Sequence, residues 1–380
     1  MRRWMAAVLV LLCLPLGARA AEPETAGRSA VLMEAATGTV LYEKNAHEKL
    51  APASVTKVMT MLLIMEAVDS GQIRWEDTVT ASEAAAAKGG SQVYLKVGET
   101  MTVEEMLKSI AVSSANDCAC AMAEHLARSE AAFVERMNAR AAELGMEDTH
   151  FVNCTGLDDD PEAAEHRTSA YDIALMSREL VVNHPDICRF TTIWMDTVRQ
   201  GAFGLSNTNK LIRFYPGATG LKTGFTAGAK YCLSATARRD GMELIAVVLG
   251  AESSQDRFQS CKTMLDHGFA GYALVYPELT EAGIVPVRLG KQQAVSVRME
   301  GAEPVLVEKS RKSSVQTRIT LEPQADAPVA AGQQLGVLEL TQGDEVLAAV
   351  PLVAAEAVER MGWPDLLGAV LRRAAMAKGV

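Results

Sequence analysis

The 380-residue sequence has no excess of positive charge, because 37 lysines and arginines stand against 47 aspartates and glutamates. A formal net charge of -10 excludes the basic footprint typical of nucleic-acid-binding proteins. Aromatic residues are scarce at 5%, yet 49% of the residues are hydrophobic and 22% are charged, which is typical of a globular chain. This length predicts two globular units with cores that need no disulfide scaffold.

Several signatures of hydrolases and metalloproteins are also missing. The sequence contains no Gly-x-Ser-x-Gly nucleophile elbow, no His-Glu-x-x-His zinc motif and no Cys-x-x-Cys pair. No two histidines have metal-ligand spacing; they are His47, His125, His150, His166, His184 and His267. We therefore expect neither a metal site nor another cofactor.

Residues 1–20 are typical of a secretory signal peptide. Arg2 and Arg3 precede an apolar run over 5–17, which is too short to span a bilayer, and Ala18-Arg19-Ala20 offers a cleavage site. We therefore expect an exported protein. Removal of Cys13 would leave six cysteines, which are too sparse for a fold held together by disulfides. We expect most of them to be buried small hydrophobic residues. They are Cys118, Cys120, Cys154, Cys188, Cys232 and Cys261.

The periodicity of apolar residues predicts an α+β unit over 21–275, in which clustered helices accompany a few strands. Helices are predicted from Ser54, from the capping box Thr102-Val103-Glu104-Glu105, and over 116–127, 131–144 and 171–182. Strands are predicted over 28–42, as a pair, and over 231–237 and 243–249. Short alternating runs separated by glycine and proline then predict a small all-β domain over 276–353.

The last segment, 354–380, predicts an amphipathic helix. Its apolar stripe is Trp363, Leu366, Leu367, Val370 and Leu371. The run is too short to span a bilayer, so we expect a helix that lies in the membrane interface. A helix that packs on its own β-domain or on a partner is the alternative.

One short motif has the composition of a nucleophile and its base. Ser54-Val55-Thr56-Lys57 places a hydroxyl and an ammonium one helical turn apart, on the same face. A serine hydroxyl is a poor nucleophile until a base removes its proton, and lysine is such a base only when its pKa is lowered. Taken alone, Ser-x-x-Lys occurs by chance in a chain of this length.

Two further motifs make chance an inadequate explanation. Ser114-Ala115-Asn116 falls between two predicted helices, and Lys222-Thr223-Gly224 precedes the predicted strand over 231–237. A second lysine supplies a cation that helps lower the pKa of the first, and a second hydroxyl can pass a proton to a leaving amine. This order of motifs is used by penicillin-binding proteins and class A β-lactamases.

Over nearly all of the chain, the sequence resembles the low-molecular-weight penicillin-binding proteins that are D-Ala-D-Ala carboxypeptidases. The resemblance rests on Ala51-Pro52-Ala53-Ser54-Val55-Thr56-Lys57, Ser114-Ala115-Asn116-Asp117, Gly220-Leu221-Lys222-Thr223-Gly224-Phe225-Thr226 and Tyr231-Cys232-Leu233. It implies a serine β-lactamase/transpeptidase-like catalytic domain of the α+β class, with helices on an antiparallel sheet. The small β-domain and the amphipathic tail also resemble the family's carboxy-terminal domain and membrane anchor.

The resemblance further implies the chemistry of each motif. Ser54 would be the acylated nucleophile, Lys57 its general base and Ser114 a proton relay. The backbone N–H groups of Ser54 and Phe225 would form the oxyanion hole. The substrate would be a peptidoglycan stem peptide ending in D-Ala-D-Ala, with β-lactams as covalent inhibitors, and the enzyme would work at the outer face of the cytoplasmic membrane.

Four residues would bind the substrate: Asn116 positions the peptide, Lys222 tunes the electrostatics, and Thr223 and Gly224 flank the terminal carboxylate. The sequence departs from the family at Ala115, where glycine is frequent, and at Lys230, where a small residue is usual. The second departure puts local strand geometry in doubt rather than the catalytic residues.

Two other functions remain open at this point. A class A-like β-lactamase would need a carboxylate that drives deacylation, and five acidic residues follow Asn153: Asp158, Asp159, Asp160, Glu162 and Glu165. Their more ordinary role is a solvated loop. A non-catalytic peptidoglycan-binding scaffold is the second alternative, although such a protein needs no Ser-Lys pair.

Overall fold

A computed structural model describes residues 22–159, 161–279 and 283–368. In its first part the strands are β1 (Ser29–Glu34), β2 (Val40–Lys44), β3 (Thr78–Thr80), β4 (Thr100–Thr102), β5 (Met195–Val198), β6 (Phe203–Ser206), β7 (Ala218–Thr226), β8 (Lys230–Arg239), β9 (Met242–Ala251) and β10 (Tyr272–Val275). The helices are α1 (Lys57–Asp69), α2 (Glu83–Ala86), α3 (Val103–Ser113), α4 (Asn116–Ala127), α5 (Glu130–Glu143), α6 (Ala170–Asn183), α7 (Cys188–Thr191), α8 (Leu211–Phe214) and α9 (Ser254–Gly271). The predicted α+β class is confirmed.

An antiparallel sheet with the strand order β2-β1-β9-β8-β7 organises this part of the chain. Side chains alternate between its two faces, as the pleat of a strand requires. Along β1, Val31 and Met33 pack in a core with α1, α3, α4 and α6, whereas Ala30 and Leu32 pack in a core with α9. Strand β7 lies at the edge of this sheet, so one side of its backbone is open to other pairing.

The predicted helix at Ser54 is two elements in the structure. A 3-10 turn covers Ala53–Thr56, and α1 starts at Lys57. The predicted capping box is confirmed, because the Thr102 hydroxyl accepts from the backbone N–H of Glu105 and the Glu105 carboxylate accepts from the N–H of Thr102. Helix α4 has the predicted bounds.

The β-strands of the second part have a core of their own. They are β11 (Ile284–Arg288), β12 (Ala294–Met299), β13 (Val305–Glu308), β14 (Val315–Leu321), β15 (Ala325–Asp326), β16 (Gln334–Gln342) and β17 (Glu345–Ala354). Six of them form one sheet with the order β14-β16-β17-β12-β11-β15. Strand β13 pairs with β10 and so ties this part to the first.

The start of the carboxy-terminal segment differs from the prediction. We expected a helix from residue 354, but Val358 bridges to Val329 and Arg360 bridges to Gly290, so the β-domain continues to residue 360. The pairing of Val358, which is fully buried, explains this extension. A helix covers 363–368, where Trp363 and Leu367 are 86% and 62% exposed.

Both predicted targeting segments fall largely outside the described residues. The signal peptide over 1–20 and the tail beyond residue 368, with Val370 and Leu371, are among the parts that the structure does not describe. In the described ranges we find no helix with the length and apolar character needed to cross a membrane.

Candidate active site

The proposed nucleophile and base lie in direct contact. The Lys57 ammonium nitrogen is 3.0 Å from Ser54 Oγ and donates a hydrogen bond to it. The 3-10 turn and the first turn of α1 place both side chains on one face, as the three-residue spacing predicts. Ser54 is half-buried, whereas Lys57 is fully buried. The serine is therefore accessible from the cleft and the lysine is shielded from water.

Burial makes the side chain of Lys57 easier to deprotonate. Desolvation is the largest influence on its pKa and lowers it to about 7. Its nitrogen also donates to the Thr155 carbonyl oxygen at 2.7 Å. The Asn153 carboxamide oxygen fixes that carbonyl by accepting from the N–H groups of Thr155 and Gly156 at 3.1 and 2.6 Å. The Thr155 carbonyl therefore holds the Lys57 nitrogen in place, in contact with Ser54 Oγ.

The second motif joins α3 to α4. Ser114 ends α3 with φ 63°, in the left-handed region, and Asn116 begins α4. Asn116 Nδ2 donates to the Gly89 carbonyl at 2.7 Å. Among the described residues, Ser114 Oγ and Asn116 Oδ1 are buried without a hydrogen-bond partner. Two such buried polar atoms are costly unless a ligand or water satisfies them, which indicates a binding site.

The third motif lies on the edge strand β7. Lys222 and Thr223 are buried, and Thr223 Oγ1 donates to Thr208 Oγ1 at 2.6 Å. Burial first, and then the cations Lys57 and Arg257, lower the pKa of Lys222 well below its usual value. Phe225 is 53% exposed at the end of the motif. The effect of Lys57 on the pKa of Lys222 shows that the first and third motifs lie close together in the fold.

At Gly224, strand β7 lies close to the nucleophile turn, which is the 3-10 turn Ala53–Thr56. A Cβ atom on this glycine would lie 2.6 Å from the Pro52 carbonyl oxygen and 3.2 Å from the Ser54 nitrogen. From the other side, Arg257 Nη1 donates to the Gly224 carbonyl at 2.8 Å. The strand is therefore held against Ser54 at a distance that only glycine permits.

Some residues that build the site were not found from the sequence. Thr155, Thr208 and Arg257 contact motif residues, and Asn153 supports Thr155. The run Asn153-Cys154-Thr155-Gly156 has turn chemistry and was a usable local signal. Arg257 had none, because α9 was not predicted and its contact with β7 joins residues 33 apart in sequence.

The departures from the family pattern leave the cleft intact. Ala115 is buried with φ -58°, which any residue can adopt. Lys230 has φ 59° at the start of β8, a conformation that favours glycine, and its ammonium lies 3.6 Å from Glu252. The strain therefore stays at the beginning of β8, away from Ser54.

The acidic segment after Asn153 is mostly solvated where it is described. The exposed acids are Asp158, Asp159, Glu162 and Glu165, and Asp160 lies outside the described residues.

The six cysteines that the structure describes are free, and five are buried with Cys188 half-buried. Among the described residues, the one group with metal-ligand composition is Glu66, Glu179 and His184. Arg140 binds both of these carboxylates, at 2.7 and 2.6 Å, which makes the group an ion-pair network.

Comparison with known families agrees with this geometry. Residues 17–253 match the family model Peptidase_S11, D-alanyl-D-alanine carboxypeptidase, and residues 274–360 match that of the penicillin-binding protein 5 C-terminal domain. The chain belongs to the D-alanyl-D-alanine carboxypeptidase family of serine hydrolases.

Individual relatives cover most of the chain. It is 44% identical over 357 residues to D-alanyl-D-alanine carboxypeptidase DacF of Bacillus subtilis, covering 92% of this chain and 90% of the relative. The crystal structure of penicillin binding protein 6B from Escherichia coli is similar with a TM-score of 0.71 and 30% identity, over 90% and 98% of the two chains. The ampicillin-bound form of penicillin-binding protein D2 from Listeria monocytogenes has a TM-score of 0.56 and 32% identity, over 64% and 98%.

Proposed function

We propose that Ser54 and Lys57 are the nucleophile and general base of a D,D-carboxypeptidase that removes the terminal D-Ala from peptidoglycan stem peptides. The observation that carries this proposal is the 3.0 Å contact between Ser54 Oγ and a fully buried lysine whose pKa lies at about 7. Such a lysine is partly neutral at physiological pH and can accept the hydroxyl proton.

The reaction follows from the arrangement of groups around Ser54. Neutral Lys57 takes the Ser54 proton while Oγ attacks the carbonyl carbon of the penultimate D-Ala. The backbone N–H groups of Ser54 and Phe225 stabilise the resulting oxyanion. The C–N bond then breaks, the proton passes through Ser114 Oγ to the leaving amine, and free D-Ala departs. Water hydrolyses the ester and regenerates the Ser54 hydroxyl.

Substrate binding uses groups that have no other partner among the described residues. Ser114 Oγ serves the leaving amine and Asn116 Oδ1 accepts from a peptide N–H of the substrate. An extended peptide can pair with the edge of β7, beside Thr223, Gly224 and the amine of Lys222. A neighbouring cleft of about 620 Å³, lined in part by Asn153, Thr155 and Leu157, leaves room for the stem.

The nucleophile can be tested with penicillin and a peptide ending in D-Ala-D-Ala. We expect a penicilloyl adduct on the peptide that contains Ser54, release of D-Ala by the wild type, and neither in Ser54→Ala. Mass spectrometry and D-Ala release measure these outcomes. Residual D-Ala release near the wild-type rate in Ser54→Ala would refute the assignment.

The same experiment separates the alternative functions. A β-lactamase would turn the adduct over within seconds, whereas the carboxypeptidase should retain it much longer. A scaffold would form no adduct. The acids after Asn153 that the structure describes are exposed, which favours a slow deacylation, because none of them is a buried carboxylate base for Ser54.

The pH dependence of acylation provides a second test. The ammonium form of Lys57 cannot accept a proton, so the second-order rate constant for acylation should rise with pH and level off above an apparent pKa of about 7. A fluorescent penicillin that does not titrate in this range measures the profile between pH 5 and 9. An inflection near 10, the ordinary lysine value, would contradict the base assignment.

The proposed division of the chain includes a cleaved signal over 1–20 and a catalytic domain to residue 275. We place the β-domain at 276–360 and infer that the tail holds the enzyme at the outer face of the cytoplasmic membrane. The exposed Trp363 and Leu367 support this inference. Truncation after residue 360 should move the protein from the membrane to the soluble fraction on centrifugation. A truncated form that still sediments with membranes would disprove the anchor.

A further inference from the structure

A buried histidine lies directly behind the nucleophile turn. His166 is 3% exposed, and its Nε2 lies 2.7 Å from the hydroxyl oxygen of Thr56, a residue between Ser54 and Lys57. The two residues are 110 positions apart in sequence. His166 takes no part in the chemistry proposed above, so its contact with the catalytic turn needs another explanation.

The hydrogen-bond partners determine where the imidazole proton is. The Thr56 hydroxyl donates to the Ala53 carbonyl oxygen at 2.9 Å, and a carbonyl can only accept. Thr56 Oγ1 must therefore accept from His166, which places a proton on Nε2. On the other side of the ring, Nδ1 accepts from the Val152 N–H at 3.2 Å. The neutral imidazole with Nε2–H satisfies every partner.

The end of this chain of hydrogen bonds is a strained residue. Ala53 has φ 50°, in the left-handed region that side chains rarely adopt, and it immediately precedes Ser54. Such a conformation persists only when its surroundings hold it. Gly156 packs so closely on the other side that a Cβ atom there would lie 1.9 Å from the Ala53 oxygen. The carbonyl of Ala53 is thus fixed by a hydrogen bond and by packing.

We propose that His166 is a positioning residue for acylation: through Thr56 it holds the strained Ala53 turn, and so it sets the position of Ser54 Oγ and of the Ser54 N–H. The inference rests on the proposed function, because it concerns the same nucleophile. It connects the segment that carries Thr155, the acceptor for Lys57, to the turn that carries Ser54.

The surroundings of His166 keep it in the required form. Burial, and to a smaller extent the neighbouring His150, Arg167 and Lys57, together lower its pKa to about 4. The aromatic ring of Phe151 packs edge-on against the imidazole, with 5.6 Å between the two ring centroids. At the pH at which Lys57 is neutral, His166 is therefore a permanent N–H donor and not a proton acceptor.

Three single variants and one double variant test the proposal. His166→Phe keeps the ring volume and removes the donor, and Thr56→Val keeps the branched shape and removes the hydroxyl. Each should lower the acylation rate constant, per active site, by about tenfold, because small displacements of a nucleophile are costly. His166→Gln, which keeps an N–H donor, should recover most of the rate. Both substitutions break the same chain of hydrogen bonds, so their effects should not add. The acylation rate constant of Thr56→Val/His166→Phe should therefore be no lower than that of the slower single variant.

A merely structural role predicts a different pattern. In that case the variants would lower the melting temperature but leave the acylation rate per titrated active site unchanged, and this result overturns the proposal. Additive losses in the double variant would also overturn it. If His166→Phe does not fold, His166→Gln and Thr56→Val carry the comparison. His150→Gln, an exposed histidine of the same segment, is the matched control and should acylate normally.

A thermal titration gives an independent readout. Because the folded pKa of His166 lies below its unfolded value of 6.5, the unfolded chain binds a proton between pH 6.5 and 4 that the folded chain does not. The wild type should therefore lose stability as the pH falls through this window, and His166→Gln should lose less. Equal losses would show that His166 is not held as the neutral donor. Failure of the wild type to be acylated at Ser54 would instead refute the proposed function.

Discussion

A Lys57→Met variant should lose about three to four orders of magnitude in acylation rate and yet unfold at a higher temperature than the wild type. Methionine fills a similar volume without an amine, so Ser54 loses the only base that touches its hydroxyl in the described structure. The acylation rate with a fluorescent penicillin and the release of D-Ala measure the first effect. Thermal unfolding measures the second.

The expected gain in stability comes from the cost of burying a lysine. Its pKa is about 7 in the folded protein against an ordinary 10.5, so at neutral pH folding expels a proton that the unfolded chain keeps. That cost disappears above pH 10.5 and is largest when the pH falls to about 7. The variant leaves the Thr155 carbonyl without its donor, which offsets part of the gain. We expect a net stabilisation of about 1–2 kcal/mol.

The control makes the same chemical change at the surface. Lys49 is 58% exposed and pairs with Asp148 at 3.6 Å, so Lys49→Met should leave both acylation and stability nearly unchanged. Active Lys57→Met would show that another group takes the Ser54 proton. An inactive Lys57→Met that is strongly destabilised would show that the amine is held in the fold mainly for structure.

Contacts between residues close in sequence were predictable, whereas contacts between distant residues were not. The contact between Ser54 and Lys57 was predictable, because both lie on one turn and the helical repeat fixes their spacing. The start of α3 was predictable for the same reason, since a capping box is a local signal. The closeness of Gly224 to Ser54 followed only from the family resemblance, because no local rule brings together residues of separate elements.

The supporting contacts escaped sequence analysis because they are long-range and use ordinary residues. Thr155 contributes only a backbone carbonyl to Lys57, so its side chain carries no signal. His166 looked like one of several scattered histidines until the fold placed it on Thr56. The pairing of Val358 and Arg360 was also beyond sequence analysis, because isolated bridges involve no periodic run. In these cases the sequence shows which side chains are present but not which distant residue each one contacts.

Gly224→Ala should reduce the acylation rate by about a hundredfold or more. The added methyl group would overlap the Pro52 carbonyl, at 2.6 Å, and crowd the Ser54 nitrogen, at 3.2 Å. Strand β7 cannot retreat freely, because Gly224 pairs with Cys232 on β8 and its carbonyl accepts from Arg257. The two sides of the proposed oxyanion hole must therefore move apart. Acylation by a fluorescent penicillin measures the loss.

A glycine on a strand of a separate, two-stranded sheet provides the control for this substitution. Gly204 lies in β6, and a Cβ atom there would meet no atom within 4 Å, so Gly204→Ala should retain the wild-type rate within about twofold. If Gly224→Ala acylates as fast as Gly204→Ala, the spacing between β7 and the nucleophile turn does not limit the reaction. A large loss in Gly224→Ala with little change in penicillin affinity would place the defect in the transition state, because an oxyanion hole acts on charge that develops only there.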